Sequence, residues 1–298
     1  MNPASALLIS VIVPTYNRAG YIGKTIQSVL QQENGNFELI IVDDGSTDNT
    51  EEIVLSFADS RIKYFKKSNA ERAAARNYGV KKAQGHFVTF LDSDDLLKEN
   101  HLSEAISFLG RHTDVAFFHL GYDVINPDGT IIYSWKALPD PVNDKLVEGN
   151  FLSCLGVFVK KEILLQHPFN EDRALSGSED YELWIRLAAR FPIRTLPVVT
   201  ASLVNHETRS VLQIDIASFM KRISLAKEYI EKDLQVRTTY GSKVKKIFAY
   251  LDLYAALHLA MEGHMVMAWK TLIQSALQSP SIVTNYRFLV VIKKLILF

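Results

Sequence analysis

Residues 86–95 read HFVTFLDSDD. The first part is what a buried strand needs, aromatic and β-branched residues in an unbroken apolar run. The second part sets three aspartates, Asp92, Asp94 and Asp95, within four positions. Like charges this close repel, so the strand end calls for something positive beside it. A core strand that closes in a polar turn fits an open sheet, whose ligands bind outside the carboxyl ends of its strands.

The same pattern repeats upstream. LLISVIVP (7–14) is a β-branched run that ends at Pro14, and YIGKTIQSVLQQ (21–32) spaces Ile22, Ile26, Val29 and Leu30 as one face of a helix. FELIIVDDGS (37–46) is a second buried strand closed by turn residues. DNTEEIVLSFA (48–58) opens a helix that Asp48 or Asn49 can cap, with Glu51 and Glu52 at its positive end. IKYF (62–65) is a short third strand, and AERAAARNYGVKKAQG (70–85) is a helix of good formers stopped by Gly85. This alternation predicts βαβ units: an α/β, Rossmann-like fold with a mainly parallel sheet and flanking helices. Three strand ends carry PTYN (14–17), DDGSTD (43–48) and DSDD (92–95), and all three are expected to line one crevice.

Further on, VAFFHLGYDVI (115–125), TIIYSW (130–135) and FLSCLGVFV (151–159) read as strands, and EDYELWIRLAAR (179–190) as a helix. No proline falls between Pro197 and Pro280, and much of that stretch is amphipathic. Residues 211–298 therefore read as a C-terminal helical segment.

Composition narrows the function. The 298 residues are 48% apolar with a formal net charge of zero, which argues against a nucleic-acid partner. Cys154 is the one cysteine, so no internal disulfide forms and a reducing, cytoplasmic setting fits. No signal peptide or membrane-spanning run is expected. The neutral total hides an asymmetry: residues 211–298 carry 12 Lys and Arg against 6 Asp and Glu. The closing NYRFLVVIKKLILF (285–298) is basic and amphipathic, the pattern of a helix on a membrane surface. A peripheral position on the cytoplasmic membrane face follows as an expectation.

Hard divalent cations prefer carboxylate oxygen and commonly keep waters and substrate phosphates as their other ligands. An Asp-x-Asp turn after a buried strand leaves room for those ligands. Here the chain resembles the family 2 glycosyltransferases of bacterial polysaccharide assembly, which have the GT-A fold. The likeness runs through roughly residues 8–210, in SVIVPTYNRAGYIGKTIQSVLQQ, FELIIVDDGSTDNT, NAERAAARNYGVKKAQGHFVTFLDSDD and GSEDYELWIRLA. It implies a GT-A catalytic domain over 1–210, with a nucleotide-binding half to about 110 and an acceptor half over 111–210, before the helical region 211–298.

Carried over position by position, the resemblance implies that Pro14 and Tyr16 flank the nucleotide base, with Tyr16 stacked on it. Asp44 accepts from a pyrimidine ring N–H, Asp43 supports the turn or the ribose, and Arg76 reaches the base or the diphosphate. Asp92 touches ribose or a metal-bound water, Asp94 binds Mn²⁺ or Mg²⁺, and His206 completes the metal site or touches the diphosphate. Asp180 is the general base. The implied reaction is a single inverting displacement that moves a sugar from a nucleoside diphosphate sugar, a UDP-sugar first, to a saccharide or lipid-linked acceptor. Two departures stand out. Glu71 occupies a position that is often glycine in the family, and the Q-x-x-R-W motif of processive members is absent, which points to single additions. A non-catalytic nucleotide-sugar binder is the alternative. A haloacid-dehalogenase-type phosphatase fits poorly, because Leu96 stands where that motif needs Thr or Val.

Overall fold

The structure is a computed structural model and describes residues 7–207 and 215–297. Its first half is the expected alternation: β1 (Ile9–Thr15), α1 (Ile22–Leu30), β2 (Phe37–Asp43), α2 (Thr50–Leu55), β3 (Ile62–Lys66), α3 (Glu71–Lys82) and β4 (Phe87–Phe90). β5 (Leu96–Leu97) and α4 (His101–Arg111) follow, then β6 (Phe117–Ile125), β7 (Ile131–Ser134), β8 (Val157–Lys160), α5 (Lys161–Gln166), α6 (Glu179–Ala188) and β9 (Ile193–Val204). Five helices close the chain: α7 (Ile216–Lys232), α8 (Leu234–Tyr240), α9 (Lys243–Met261), α10 (Met265–Gln278) and α11 (Tyr286–Ile296).

The strands form one sheet in the order β3-β2-β1-β4-β8-β6-β9-β5, with β7 paired to β6. β3, β2, β1 and β4 are parallel to one another. β8 lies antiparallel between β4 and β6, and β6 runs parallel to β9, so these last two share the direction of the first four. β2, β1 and β4 are adjacent, which brings the loops after Asp43, Thr15 and Phe90 together at one edge. Every residue of β1 and β2 is buried, because helices cover both faces of a βαβ sheet. One face carries α1, α2 and α4 over Val11, Val13, Leu39 and Ile41. The other carries α3, α5 and α6 over Ile12, Ile40, Val42 and Phe90. Gly79 lets α3 approach closely, since a Cβ there would stand 2.5 Å from the Ile12 side chain.

Two expectations change. Of residues 151–159 only the last three belong to a strand; Cys154–Gly156 is a 3-10 turn. After the aspartates, where the sequence reading names no element, β5 pairs with Ala201 and Ser202 of β9 before α4 begins at His101. The C-terminal helices are not a loose appendage. Phe219, Ile223 and Ile230 of α7, Val236 of α8 and Ile247 and Leu251 of α9 join the same core as the sheet. The rest of α9 packs with α10 and α11 in a second cluster. The expected boundary near residue 210 falls outside the described residues. Among those described, no helix is long and apolar enough to cross a membrane.

Candidate active site

The three aspartates that open the problem point in three directions. Asp92 Oδ1 accepts from Arg76 Nη2 at 2.7 Å. Asp94 Oδ2 lies 3.4 Å from Arg18 Nε and 3.1 Å from His206 Nε2. Asp95 turns inward, 1% exposed, and accepts from the backbone N–H of Val204 at 2.9 Å. That last bond and the β5–β9 pairing tie the aspartate turn to the end of β9, which is why His206 arrives beside Asp94. His206 is held flat by stacking on Tyr21, with ring centroids 4.4 Å apart. Protein guanidinium groups thus supply part of the positive charge that the strand end called for.

The neighbouring wall is built by PTYN and DDGSTD. Asn17 takes a left-handed φ of 49°, which asparagine tolerates better than most residues, and its Oδ1 accepts from Thr47 N. The backbone N–H groups of Asn17, Arg18 and Ala19 donate to the side chains of Ser46, Thr50 and Asp48. The two loops are therefore one latched unit, and Tyr16 rises from it 47% exposed. Pro14 sits buried in β1 opposite Val42. Asp48 accepts from Thr50 N at the start of α2, while the N-cap itself is Asn49, whose side chain makes no capping hydrogen bond.

Asp43 and Asp44 are both buried. Asp43 accepts from Ser46 N and the Tyr64 hydroxyl, so it braces the turn. Asp44 holds the start of α3: it accepts from Ala70 N, Glu71 N and Lys67 Nζ. A carboxylate has about four acceptor positions, so little of Asp44 is left over. Glu71, flagged by its residue type, has a φ of 74°. Glycine adopts that backbone without cost, and a glutamate there carries strain of roughly 1 kcal/mol or more.

Arg76 is the central tie. It is 2% exposed, donates from Nη1 to Glu179 Oε1 at 2.8 Å and from Nη2 to Asp92, and lies over the Phe169 ring. It joins the aspartate turn to the first turn of α6, from 103 positions away. Both of its terminal nitrogens are committed to these carboxylates. Glu179, which reads in the sequence as a helix-dipole charge, is 2% exposed. Burial opposes its ionisation, but the guanidinium groups of Arg72 and Arg76 hold its carboxyl below the usual range.

Asp180 follows Glu179 and faces elsewhere. Its Oδ2 accepts from Asn150 Nδ2 at 2.9 Å, and its Oδ1 from Tyr181 N. Burial and then the charge of Glu179 push its carboxyl up to about 6. It lines a cavity of about 420 Å³ together with Tyr250 and Tyr254 of α9 and Arg287 of α11. Trp135, at the end of the run 130–135, is 8% exposed and packs on His119, away from this cavity's lining. The aromatic wall comes from the C-terminal helices instead. Arg222 of α7 was equally hidden from sequence reasoning. It is 4% exposed, lies against Gly177 and donates from Nη1 to the Ser176 carbonyl. Only the tertiary fold brings Arg222 and Arg287 here, and no spacing signal announces them.

The donor set beside β4 is one carboxylate and one imidazole, Asp94 and His206. Mn²⁺ accepts both ligand types, and two protein ligands leave positions for water and phosphate oxygens, so the residues fit a substrate-bridging cation. Among the described residues no group of three His, Cys, Asp or Glu side chains forms a metal cage of its own.

This geometry has close counterparts. The model described as Glycosyl transferase family 2 matches residues 10–150. WfgD of Escherichia coli, a UDP-Glc:alpha-D-GlcNAc-diphosphoundecaprenol beta-1,3-glucosyltransferase, is 38% identical over 181 residues, covering 60% of this chain and 69% of that protein. The chain belongs to glycosyltransferase family 2. Another relative of this family 2 enzyme is TuaG of Bacillus subtilis, a putative teichuronic acid biosynthesis glycosyltransferase, 37% identical over 159 residues that cover 52% of this chain and 63% of TuaG. Against two uncharacterised Rickettsia glycosyltransferases it spans only 26% and 30% of their length. Among solved structures, residues 1–349 of Staphylococcus aureus TarS with UDP-GlcNAc superpose with a TM-score of 0.70 at 22% identity, covering 97% of this chain and 88% of that one. The mannosyltransferase PcManGT of Pyrobaculum calidifontis, with GDP-Man and Mn²⁺, gives 0.60 at 18% identity over 96% of this chain and 83% of that one. At these identities the likeness is one of fold, and the fold of this family 2 enzyme is GT-A, with the C-terminal helices included in the match to TarS.

Proposed function

We propose that this glycosyltransferase moves a sugar from a UDP-sugar to a hydroxyl of a saccharide or lipid-linked acceptor, with inversion, one residue at a time, as a step of bacterial polysaccharide assembly. Asp180 carries the reading. A hydroxyl is a poor nucleophile at neutral pH, so a carboxylate must take its proton as the new bond forms. A carboxyl raised to about 6, at the wall of a cavity, is ionised at neutral pH yet basic enough for that task. One displacement needs one base and no carboxylate nucleophile, which predicts inversion at the anomeric carbon.

Tyr16 offers its exposed ring to the base, next to Pro14. Asp43 braces the turn beneath, and Asp44, which anchors α3, would accept the ring N–H of the base. Asp92 reaches the ribose side, oriented by Arg76. Asp94 and His206 would hold Mn²⁺ or Mg²⁺; when bound, the cation neutralises charge on the leaving diphosphate. Arg18, beside Asp94, adds a fixed positive charge to the same end of the crevice. The absence of a Q-x-x-R-W motif supports single additions.

We read the outer side of α10 and α11 as a membrane-facing surface. Val266, Ile273 and Leu277 of α10 and Leu289 and Ile296 of α11 are exposed, with Lys270 and Lys293 among them, and no acid follows Glu262. An apolar, basic surface of this kind suits an anionic leaflet. Cys154, buried and free, fits a reducing cytoplasmic setting.

The test is a thermal-shift titration with UDP, dTDP, GDP and CDP, each with and without Mn²⁺, followed by transfer assays. UDP with Mn²⁺ should stabilise the chain, Asp94→Ala should lose that shift, and Asp180→Asn should keep it while transfer disappears. No shift with any nucleotide, or full transfer by Asp180→Asn, would overturn the reading.

A further inference from the structure

The cavity beside Asp180 has two unlike walls. Asn150, Gly177 and Asp180 form one, all from the catalytic domain. The other is α9, with Tyr254 and Leu257, and Arg287 from the start of α11. The second wall lies wholly outside residues 10–150, the part that the family model matches. Whatever binds against it is therefore selected by this chain's C-terminal helices rather than by the shared nucleotide site.

That wall has a definite chemistry. Tyr254 is 42% exposed although α9 is otherwise largely buried, so a ring face is open to the cavity. Aromatic and aliphatic walls with a few convergent polar groups are what a small-molecule site needs. Two guanidinium groups flank it. Arg287 lies over the Phe151 ring and reaches the Glu148 carbonyl at 3.5 Å; among the described residues it has no carboxylate partner. Arg222 backs the Gly177 wall, 4% exposed, and a Cβ on Gly177 would stand 2.3 Å from its Nη1. Among the described residues the Nε of Arg222 is buried with no hydrogen-bond partner. A buried guanidinium without a carboxylate of its own is costly unless an anion completes it.

Resting on the transfer reading above, we propose that this cavity is the acceptor subsite and that it takes a saccharide carrying an anionic group. The sugar ring lies against Tyr254 with one hydroxyl toward Asp180, and the anion is met by Arg287, whose planar fork fits phosphate or carboxylate oxygens. Arg222 supplies positive potential from beneath Gly177. The anion can be a phosphate that links the sugar to a lipid or the carboxylate of a uronic acid; both present the same oxygens. Arg287 sits on the helix whose outer side is apolar and basic, so a lipid-borne acceptor would enter from that side.

The experiment compares wild type, Arg287→Ala and Tyr254→Ala. UDP release from a panel of UDP-sugars is measured with three acceptors: a short-chain alkyl diphosphate of α-GlcNAc, the neutral alkyl α-GlcNAc glycoside, and an alkyl glucuronide. UDP binding is followed by thermal shift in the same samples. Wild type should favour an anionic acceptor over the neutral one by tenfold or more in kcat/KM, and the better of the two anions identifies the source. Arg287→Ala should erase that preference, Tyr254→Ala should raise the acceptor KM for charged and neutral sugars alike, and both should bind UDP as wild type does. Equal use of neutral and charged acceptors, a preference that survives Arg287→Ala, or no use of any acceptor by a chain that binds UDP would overturn the subsite. A wild type that binds no UDP would overturn the transfer reading instead.

Discussion

Asp180 and Glu179 are adjacent carboxylates in one helical turn, and their surroundings drive them apart. Glu179 is held ionised by the charges of Arg72 and Arg76, whereas Asp180 faces a cavity, and burial raises it from an ordinary 3.8 to about 6. Such a division is what the proposed role of Asp180 as base requires. It has a sign that can be checked. Between pH 3.8 and about 6 the folded chain binds a proton at Asp180 that the unfolded chain has released, so stability is lost as pH rises through that window. Asp180→Asn removes the titrating group and keeps the acceptor for Tyr181 N. Its Tm should exceed that of wild type at pH 7.5, and the gap should close as pH falls toward 4. In wild type, transfer should fall off below about pH 6 as the base is protonated. An Asn variant no more stable than wild type at neutral pH would mean that Asp180 is not strained by its site.

Among the elements, the joint between β4, α3 and α6 matters most. The three are distant in sequence and meet at one guanidinium. Removing Arg76 would take the guanidinium hydrogen bond from buried Glu179 and leave it the charge of Arg72, and breaking a buried pair from one side costs about 3–5 kcal/mol. Arg76→Met should lower the urea midpoint accordingly, and adding Glu179→Gln should recover part of the loss, because the buried charge is then gone. A loss below about 1 kcal/mol, the range of surface pairs, would show that the bridge is not what joins these elements. The β5–β9 pairing has a parallel part, since it carries Asp94 to His206 by way of Asp95 and Val204.

Taken whole, the described residues form three apolar clusters, one on each face of the sheet and one among α9, α10 and α11, and α9 takes part in two of them. Val244, Ile247, Leu251 and Ala255 on one face of α9 belong to the sheet's core, and Ala249, Tyr250, Leu253 and Ala256 on another belong to the cluster with α10 and α11. Ion pairs from Lys243 to Asp144 and from Lys246 to Glu148 fasten α9 beside the Asp180 cavity. The outer side of α10 and α11 is apolar and basic. The chain should therefore sediment with vesicles rich in phosphatidylglycerol and not with phosphatidylcholine alone. Lys270→Glu with Lys293→Glu should weaken this by roughly tenfold or more, since each basic residue near an anionic surface contributes about 1 kcal/mol. Indifference to anionic lipid would remove the membrane reading and leave the cavity untouched.

Much of this was written in the chain itself. Apolar runs of strand length, each followed by a helical period, determine a βαβ sheet because local pattern dictates which face is buried. The loops after β1, β2 and β4 carry their chemistry in contiguous letters, so PTYN, DDGSTD and DSDD were legible as one crevice, and Glu71 was marked as unusual before its positive φ was known. The sequence could not say that Asp95 would turn inward to Val204, that Glu179 would be a buried anchor for Arg76, or that Tyr254 and Arg287 would wall the cavity at Asp180 with Arg222 behind Gly177. Those contacts join residues tens to more than a hundred positions apart, and they arise where separate elements pack together. Periodicity reports whether a side chain is buried, but only packing decides against what.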